Sequence, residues 1–218
     1  MVATTAKSRS DERRQHILEV AGEVFLEQGY AAASMSAIAS KLGGSKGTLY
    51  NYFTSKPELF AAYMTGACVA NSEALLPTKD DDTPLEEALR RLGVGFLEFI
   101  LRDEAMAVSR LVIAEAHRFP ELGEAFYETG PKQSIAVLAD WMKRRMDRGE
   151  LCGADPQTAA LQFFALCKSG LYMLRMWNII PEVSPADVER HIAVQVEMFV
   201  AAYGARDQGA IRAQAPIW

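Results

Sequence analysis

From Ser45 to Lys56 the chain reads Ser-Lys-Gly-Thr-Leu-Tyr-Asn-Tyr-Phe-Thr-Ser-Lys. Hydroxyl groups, two ammonium groups and a glycine crowd into this short run. Such groups donate hydrogen bonds to phosphate oxygens and to base edges. They do not assemble a nucleophile with its base. Elsewhere no GxxxxGK loop or HExxH pair occurs, so neither a phosphate-binding loop nor a zinc hydrolase is indicated. His16, His117 and His191 lie singly, with no spacing for a triad or a metal. The chemistry expected is recognition: no enzyme, no cofactor and no metal.

A recognition surface needs elements that present it. The stretch Met35–Leu49, MSAIASKLGGSKGTL, meets the requirements of two short helices crossing at a steep angle. Ala39 is the small residue where the second helix passes over the first. Gly43, four positions on, tolerates the positive φ of the turn. Leu49, six further on, is the branched apolar residue that packs back. Ile38 and Leu42 supply the inner face of the first helix. This is a helix-turn-helix.

The surrounding chain reads as helical nearly throughout. Over about 11–28, Ile17, Leu18, Ala21, Val24, Phe25 and Gln28 fall near one face. Ser10 is placed to cap this helix, Asp11 and Glu12 suit its positive end, and Gly29 stops it. Short helices follow at about 35–42 and 46–52. Ser55 and Glu58 form a capping box for a helix running to about Leu76, before a loop with Pro77 and Asp80–Asp82. Thr83-Pro84, Asp155-Pro156 and Ser184-Pro185 each place a cap before a proline at the first helical position. Stops at Phe119-Pro120, Gly130-Pro131 and Gly149 divide the rest. The expectation is an all-α protein of about nine helices, without strands or internal repeats.

Composition sets limits on partners. Half of the 218 residues are hydrophobic and 23% are charged, an ordinary globular balance. No apolar run reaches the roughly 20 residues that span a bilayer, and MVATTAKSRS lacks a secretory apolar stretch. A cytoplasmic protein with no membrane partner is expected. The net charge is −5, but residues 1–60 hold seven Lys/Arg against six Asp/Glu. Lys7, Arg9, Arg13 and Arg14 make a short basic arm before an acidic body, compatible with docking on phosphates. Cys68, Cys152 and Cys167 are too scattered for a disulfide framework or zinc site. They are read as small packing hydrophobes. The basic cluster Lys143, Arg144, Arg145 and Arg148 ends a helix and is explained by the helix dipole.

The run Gly29-Tyr30, Ile38-Ala39, Leu42-Gly43, Ser45-Lys46-Gly47-Thr48-Leu49-Tyr50, Tyr52-Phe53 and Ser55-Lys56-Pro57-Glu58-Leu59-Phe60 resembles the N-terminal signature of the TetR family of transcriptional repressors. The likeness covers roughly residues 13–60. Two positions depart from it. Ala33 stands where many members carry Thr, which leaves Ser34 or Ser36 to cap the first helix of the motif. Gly44 stands where Val is usual, removing a packing side chain from the turn. The resemblance implies that Ser45 caps the recognition helix, whose N-terminal end favours phosphate. Lys46, Gly47 and Thr48 would face the major groove, glycine permitting close approach. Tyr50 and Tyr52 would bond phosphate oxygens through their hydroxyls, or else serve as core aromatics. Phe53 is read as core. Lys56 would add a phosphate contact. The DNA-binding candidates are therefore Ser34, Ser36, Ser45, Lys46, Gly47, Thr48, Tyr50, Tyr52 and Lys56.

Beyond residue 60, Arg110–Pro131 resembles the C-terminal domain of AefR-like members. That likeness implies homodimerisation through the helices at about 156–178 and 185–203. The first of these is apolar over more than one core-facing stripe. A small-molecule effector is also implied, with Phe96, Phe99, His117, Trp141, Tyr172, Met173 and Trp177 as candidate lining residues, residue types that more often fill a core than line a pocket. The expected domains are 1–55 for binding double-stranded operator DNA and 56–203 for dimerisation and effector binding. A mobile tail is expected at 204–218.

Overall fold

The computed structural model describes residues 9–72 and 83–205, with side chains at 67–72 excluded. Eleven helices are present among the described residues: α1 (Arg9–Ala32), α2 (Met35–Lys41), α3 (Lys46–Tyr50), α4 (Lys56–Ser72), α5 (Leu85–Leu101), α6 (Asp103–Glu115), α7 (Pro120–Thr129), α8 (Pro131–Asp147), α9 (Pro156–Lys168), α10 (Leu171–Met176) and α11 (Pro185–Tyr203). The all-α expectation holds. Two expected helices are each divided. One breaks at Arg102, which turns extended at ψ 145°. The other breaks at Ser169 (ψ 149°) and Gly170, which takes the left-handed φ of 62°. Breaking a helix frees carbonyls, and His191 Nε2 lies 3.2 Å from the Cys167 carbonyl, filling one such vacancy.

The described chain packs as two compact units. One runs up to Ala70 and includes Ala107–Gly130; the other comprises Asn71–Met106 and the chain from Pro131 on. The first unit has its own core of Ile17, Val24, Phe25, Tyr30, Ile38, Leu49, Phe53, Phe60 and Met64, to which Val108, Val112 and Leu122 belong. The second is centred on Leu89, Leu97, Leu138, Trp141, Phe163, Ile192 and Phe199.

Local signals were realised with some changes. Gly29 breaks α1 (φ 78°, ψ 160°), while Ser10 lies inside the helix and not at its cap. Asp155 accepts the Thr158 N–H at 2.7 Å, and Ser184 accepts that of Asp187 at 3.2 Å. At the start of α5 the cap position is Pro84, without a side-chain bond. Thr83 serves elsewhere: its hydroxyl accepts from Arg91 and its carbonyl from Arg145. Arg145 is also where the dipole reading of the basic cluster needs correction. It is 3% exposed, lies 4.9 Å over the Trp141 ring, and pairs with Glu150 at 2.6 Å. It is an internal strut tying α8 to the start of α5. Cys167 is buried, which pushes its thiol up to about 12, and Cys152 is half-buried and also free. The side chain of Cys68, the loop with Pro77 and Asp80–Asp82, and residues 206–218 of the expected tail lie outside the described residues. Gly204 and Ala205 are anchored by a bridge to Leu151 and a bond to the Glu150 carbonyl.

Within the first unit, α1 and α4 approach closely at Gly22. A Cβ there would stand 2.3 Å from Cε2 of Tyr63, so glycine permits the packing. Gly22→Ala raises intrinsic helix propensity by about 1 kcal/mol, yet the ring overlap should outweigh it, since overpacking costs about 1–3 kcal/mol. The expected net loss is about 1 kcal/mol, or a Tm lower by ~2–4 °C. A thermal melt showing an unchanged or raised Tm would mean that the two helices separate without cost.

Candidate nucleic-acid interface

The site begins with two caps. Ser34 is extended (φ −137°, ψ 152°) and its hydroxyl accepts the Ala37 N–H at 3.1 Å. This settles the choice left open by Ala33: Ser34 caps α2, and Ser36 is an exposed residue of its first turn. Ser45 is likewise extended, and its hydroxyl accepts the Thr48 N–H at 3.1 Å and lies 3.0 Å from the Thr48 hydroxyl. A capped helix start still leaves backbone N–H groups facing outward, and the helix dipole favours an anion there.

The turn between α2 and α3 closes in a Schellman arrangement. Gly43 N–H donates to the Ser40 carbonyl at 3.1 Å, and Gly44 N–H to the Ala39 carbonyl at 3.3 Å. Gly43 carries the positive φ, 65°. Gly44 needs no such freedom. A Cβ on it would lie 3.4 Å from an Arg13 guanidinium nitrogen, so the missing side chain leaves room for that arginine beside the turn. Two backbone bonds hold this turn without the packing side chain that valine would supply.

Ala39 and Leu49 are both buried in the same core, as the motif requires. Lys46, Gly47 and Thr48 are exposed on the first turn of α3. Tyr50 is 47% exposed, whereas Phe53 is buried beneath the Arg14 guanidinium, which stands 5.1 Å over its ring. Tyr52 is half-buried against the core. The structure thus sorts the two tyrosines: Tyr50 projects outward, and Tyr52 shares its ring with the interior. Lys41 is an exposed cation nearby, but it is held at 3.0 Å by both Glu23 and Glu27 of α1.

Lys56 lies elsewhere than expected. Its Nζ donates to the carbonyls of Tyr30 (2.8 Å) and Ala33 (3.0 Å) and stands 4.2 Å over the Tyr30 ring. Burial lowers its pKa, opposed by the negative charges of Glu115 and Glu121. Sequence reasoning had no signal for this, because the partners lie more than twenty residues away. The capping box at α4 is also half realised. Ser55 accepts the Glu58 N–H at 3.2 Å, but the Glu58 carboxylate reaches past Ser55 to the Thr54 N–H (2.7 Å) and hydroxyl (2.5 Å).

The effector candidates are divided between the two units. Trp141 is core in the second unit, with Phe96 and Tyr172 packed against the same cluster. Phe99 is half-buried, while Met173 and Trp177 are exposed. His117 belongs to the first unit and is exposed.

An all-helical chain with a capped, glycine-turned helix pair and an exposed Lys-Gly-Thr at the second helix start is a helix-turn-helix DNA-binding regulator. Residues 17–63 match the family described as bacterial regulatory proteins, tetR family, and residues 87–205 match the AefR-like transcriptional repressor C-terminal domain. The chain belongs to the TetR family of DNA-binding transcriptional regulators. It is 38% identical over 96 residues to the HTH-type transcriptional activator FasR of Mycolicibacterium smegmatis, a stretch covering 43% of this chain and 42% of that protein. It is 28% identical over 196 residues to the uncharacterised regulator YhgD of Bacillus subtilis, covering 88% and 96% of the two. The solved structure of the flavonoid-responsive regulator FrrA is 33% identical with a TM-score of 0.78, covering 89% of this chain and 98% of that one.

Glu58 offers a pH test of the loop that joins α3 to α4. Its bonds from the Thr54 hydroxyl and N–H, with Arg14 nearby, hold its pKa below the ordinary 4.5. A carboxylate depressed in the folded state contributes stability above its unfolded pKa and loses it as pH falls through the folded value. Glu58→Gln should therefore unfold at lower urea than wild type at pH 7, and the gap should close as pH is taken below 4.5. A gap independent of pH would show that the charge plays no part.

Proposed function

We propose that this protein is a cytoplasmic repressor that binds a palindromic operator as a homodimer and is released by a small apolar or amphipathic ligand. The observation that carries the DNA-reading surface is the start of α3, where Lys46, Gly47 and Thr48 are exposed beside the Ser45 cap. Ser36 and the hydroxyls of Tyr50 and Tyr52 complete the contact set, with phosphates fixing register and Lys46 and Thr48 reaching base edges. Dimerisation is supported by α11. Beyond its core stripe it exposes Val194 and Met198 at 49% and 54%, and Ala201 one turn on. The apolar α10 segment adds exposed Met173, Trp177 and Ile179. Unpartnered apolar surface on this scale marks an association face.

Selection from random double-stranded DNA should yield a palindrome with half-sites about one helical turn (~34–36 Å) apart, or a multiple of that. Lys46→Ala should weaken binding. Tyr50→Phe should weaken it by a few-fold to about tenfold on every operator, because one neutral hydrogen bond to phosphate is lost. Enrichment of no sequence, or wild-type binding by both variants, would dismiss this surface.

Repression is favoured by the match to an AefR-like repressor domain. Activation is the second reading, favoured by the name of the FasR relative. Regulation by a protein partner, or no regulation at all, is the alternative to a ligand. A small-molecule effector is supported by the flavonoid-responsive structural relative, which makes aromatic polyphenols the first class to titrate. A ligand that weakens operator binding tenfold must bind the DNA complex tenfold less tightly than the free protein, a coupling of about 1.4 kcal/mol. Titration against both forms reads this directly. Equal affinities would exclude a compound as the releasing ligand.

A further inference from the structure

An ammonium group carries three donors and a strongly held hydration shell, so placing it between carbonyls and aromatic faces has a desolvation cost that its partners must offset. Lys56 opens α4, half-buried, with two of its donors on the carbonyls of Tyr30 and Ala33. Its charge lies 4.2 Å over the Tyr30 ring and 5.7 Å from the centroid of Phe119, just before α7. Phe119 packs edge-on against Tyr30 at 5.2 Å. Three chain positions, at the end of α1, before α2 and before α7, therefore meet on the one cation that opens α4.

The location matters for DNA reading. Ala33 directly precedes Ser34, the cap of α2, so the Lys56 bond at Ala33 fixes where α2 starts and hence how α3 is presented. The neighbouring polar groups make no competing bond: the Tyr30 hydroxyl and Glu115 Oε2 are buried without hydrogen-bond partners. Burial, with the charge of Glu121 adding to it, pushes the Tyr30 phenol up to about 12. The tyrosine is accordingly held neutral, by packing and by the nearby carboxylate.

We propose that Lys56 is a positioning residue for operator binding, clamping the start of α2 to the end of α1 and to Phe119, and is not a phosphate contact. The proposal rests on the DNA-binding reading above. Lys56→Met keeps length and removes charge and donors; Lys56→Arg keeps the charge. A phosphate contact would survive Arg substitution, since guanidinium binds phosphate well. Its loss in Lys56→Met would lower the slope of log affinity against log salt by about 0.9 per contact. A clamp behaves differently. The guanidinium fork does not reproduce an ammonium held between two carbonyls, so both variants should lose operator affinity, by about tenfold or more, the scale of a lost charged hydrogen bond. The salt slope and the affinity for non-specific DNA should stay as in wild type, which a general loss of fold would not allow. In the free variants, amides of residues 35–42 should exchange faster. Phe119→Leu removes no charge and should give a smaller loss of operator affinity with the same slope, and it serves where Lys56→Met folds poorly. Full affinity in Lys56→Arg with a reduced slope in Lys56→Met, or unchanged amide exchange in both, would overturn the proposal. Failure of wild-type protein to select any DNA site would instead remove the DNA-binding reading.

Discussion

The left-handed turn at Gly43 is the constraint from which the reading head follows. At φ 65° a residue with a side chain is strained, and glycine is not. The chain can therefore turn within the four residues between α2 and α3 while α2 keeps its last carbonyls bonded by Gly43 and Gly44. That turn brings Leu49 back into the core that holds Ile38 and Ala39, leaving the first turn of α3 outside. Burial of one face and presentation of the other are two aspects of one backbone choice. Neither short helix would be stable alone, because a few residues do not repay helix nucleation. The shared core supplies what propensity lacks.

That core draws on more of the chain than the motif does. Val108, Val112 and Leu122 belong to it, and Phe119 packs edge-on against Tyr30. The segment Ala107–Gly130 is thus part of the same compact unit as the helix-turn-helix, although it falls within the stretch matched by the C-terminal family domain. Evolutionary domain and packing unit do not coincide here. The second unit is held by a comparable long-range device, Arg145, which joins Trp141, Glu150 and the Thr83 carbonyl.

What could be read from the sequence was what depends on near neighbours. Ser34, Ser45, Asp155 and Ser184 cap because a side-chain oxygen reaches an N–H three residues ahead. Gly43 turns because no other residue does so without strain. The helix-turn-helix needs only such local facts plus the spacing of three apolar residues. Ser10, which lies inside α1, and Glu58, which bonds Thr54, depart from expectation locally; the other departures depend on remote partners. Lys56 looked like a surface cation because Tyr30 and Ala33 are distant in sequence. Arg145 looked like one of four dipole-matching cations because the Thr83 carbonyl lies sixty-two residues away. Thr83 was assigned a cap for the same reason. Gly170 shows a subtler limit: glycine is tolerated within a helix, and nothing local marks this one as the point where the chain takes a left-handed φ and the helix breaks. The effector residues stayed unresolved because aromatic side chains look alike in sequence whether they fill a core or line a pocket.

The brevity of α3 has a further consequence. It is five residues long, and the second of them, Gly47, has no side chain with which to donate or accept. A head so sparsely furnished cannot tell many base pairs apart by direct contact. Discrimination then has to draw on the duplex itself: the ease with which a given sequence narrows its groove, bends or untwists. Base pairs that no side chain touches would enter the preferred sequence through their mechanical stiffness, and the consensus would extend across positions for which the protein has no chemical reader.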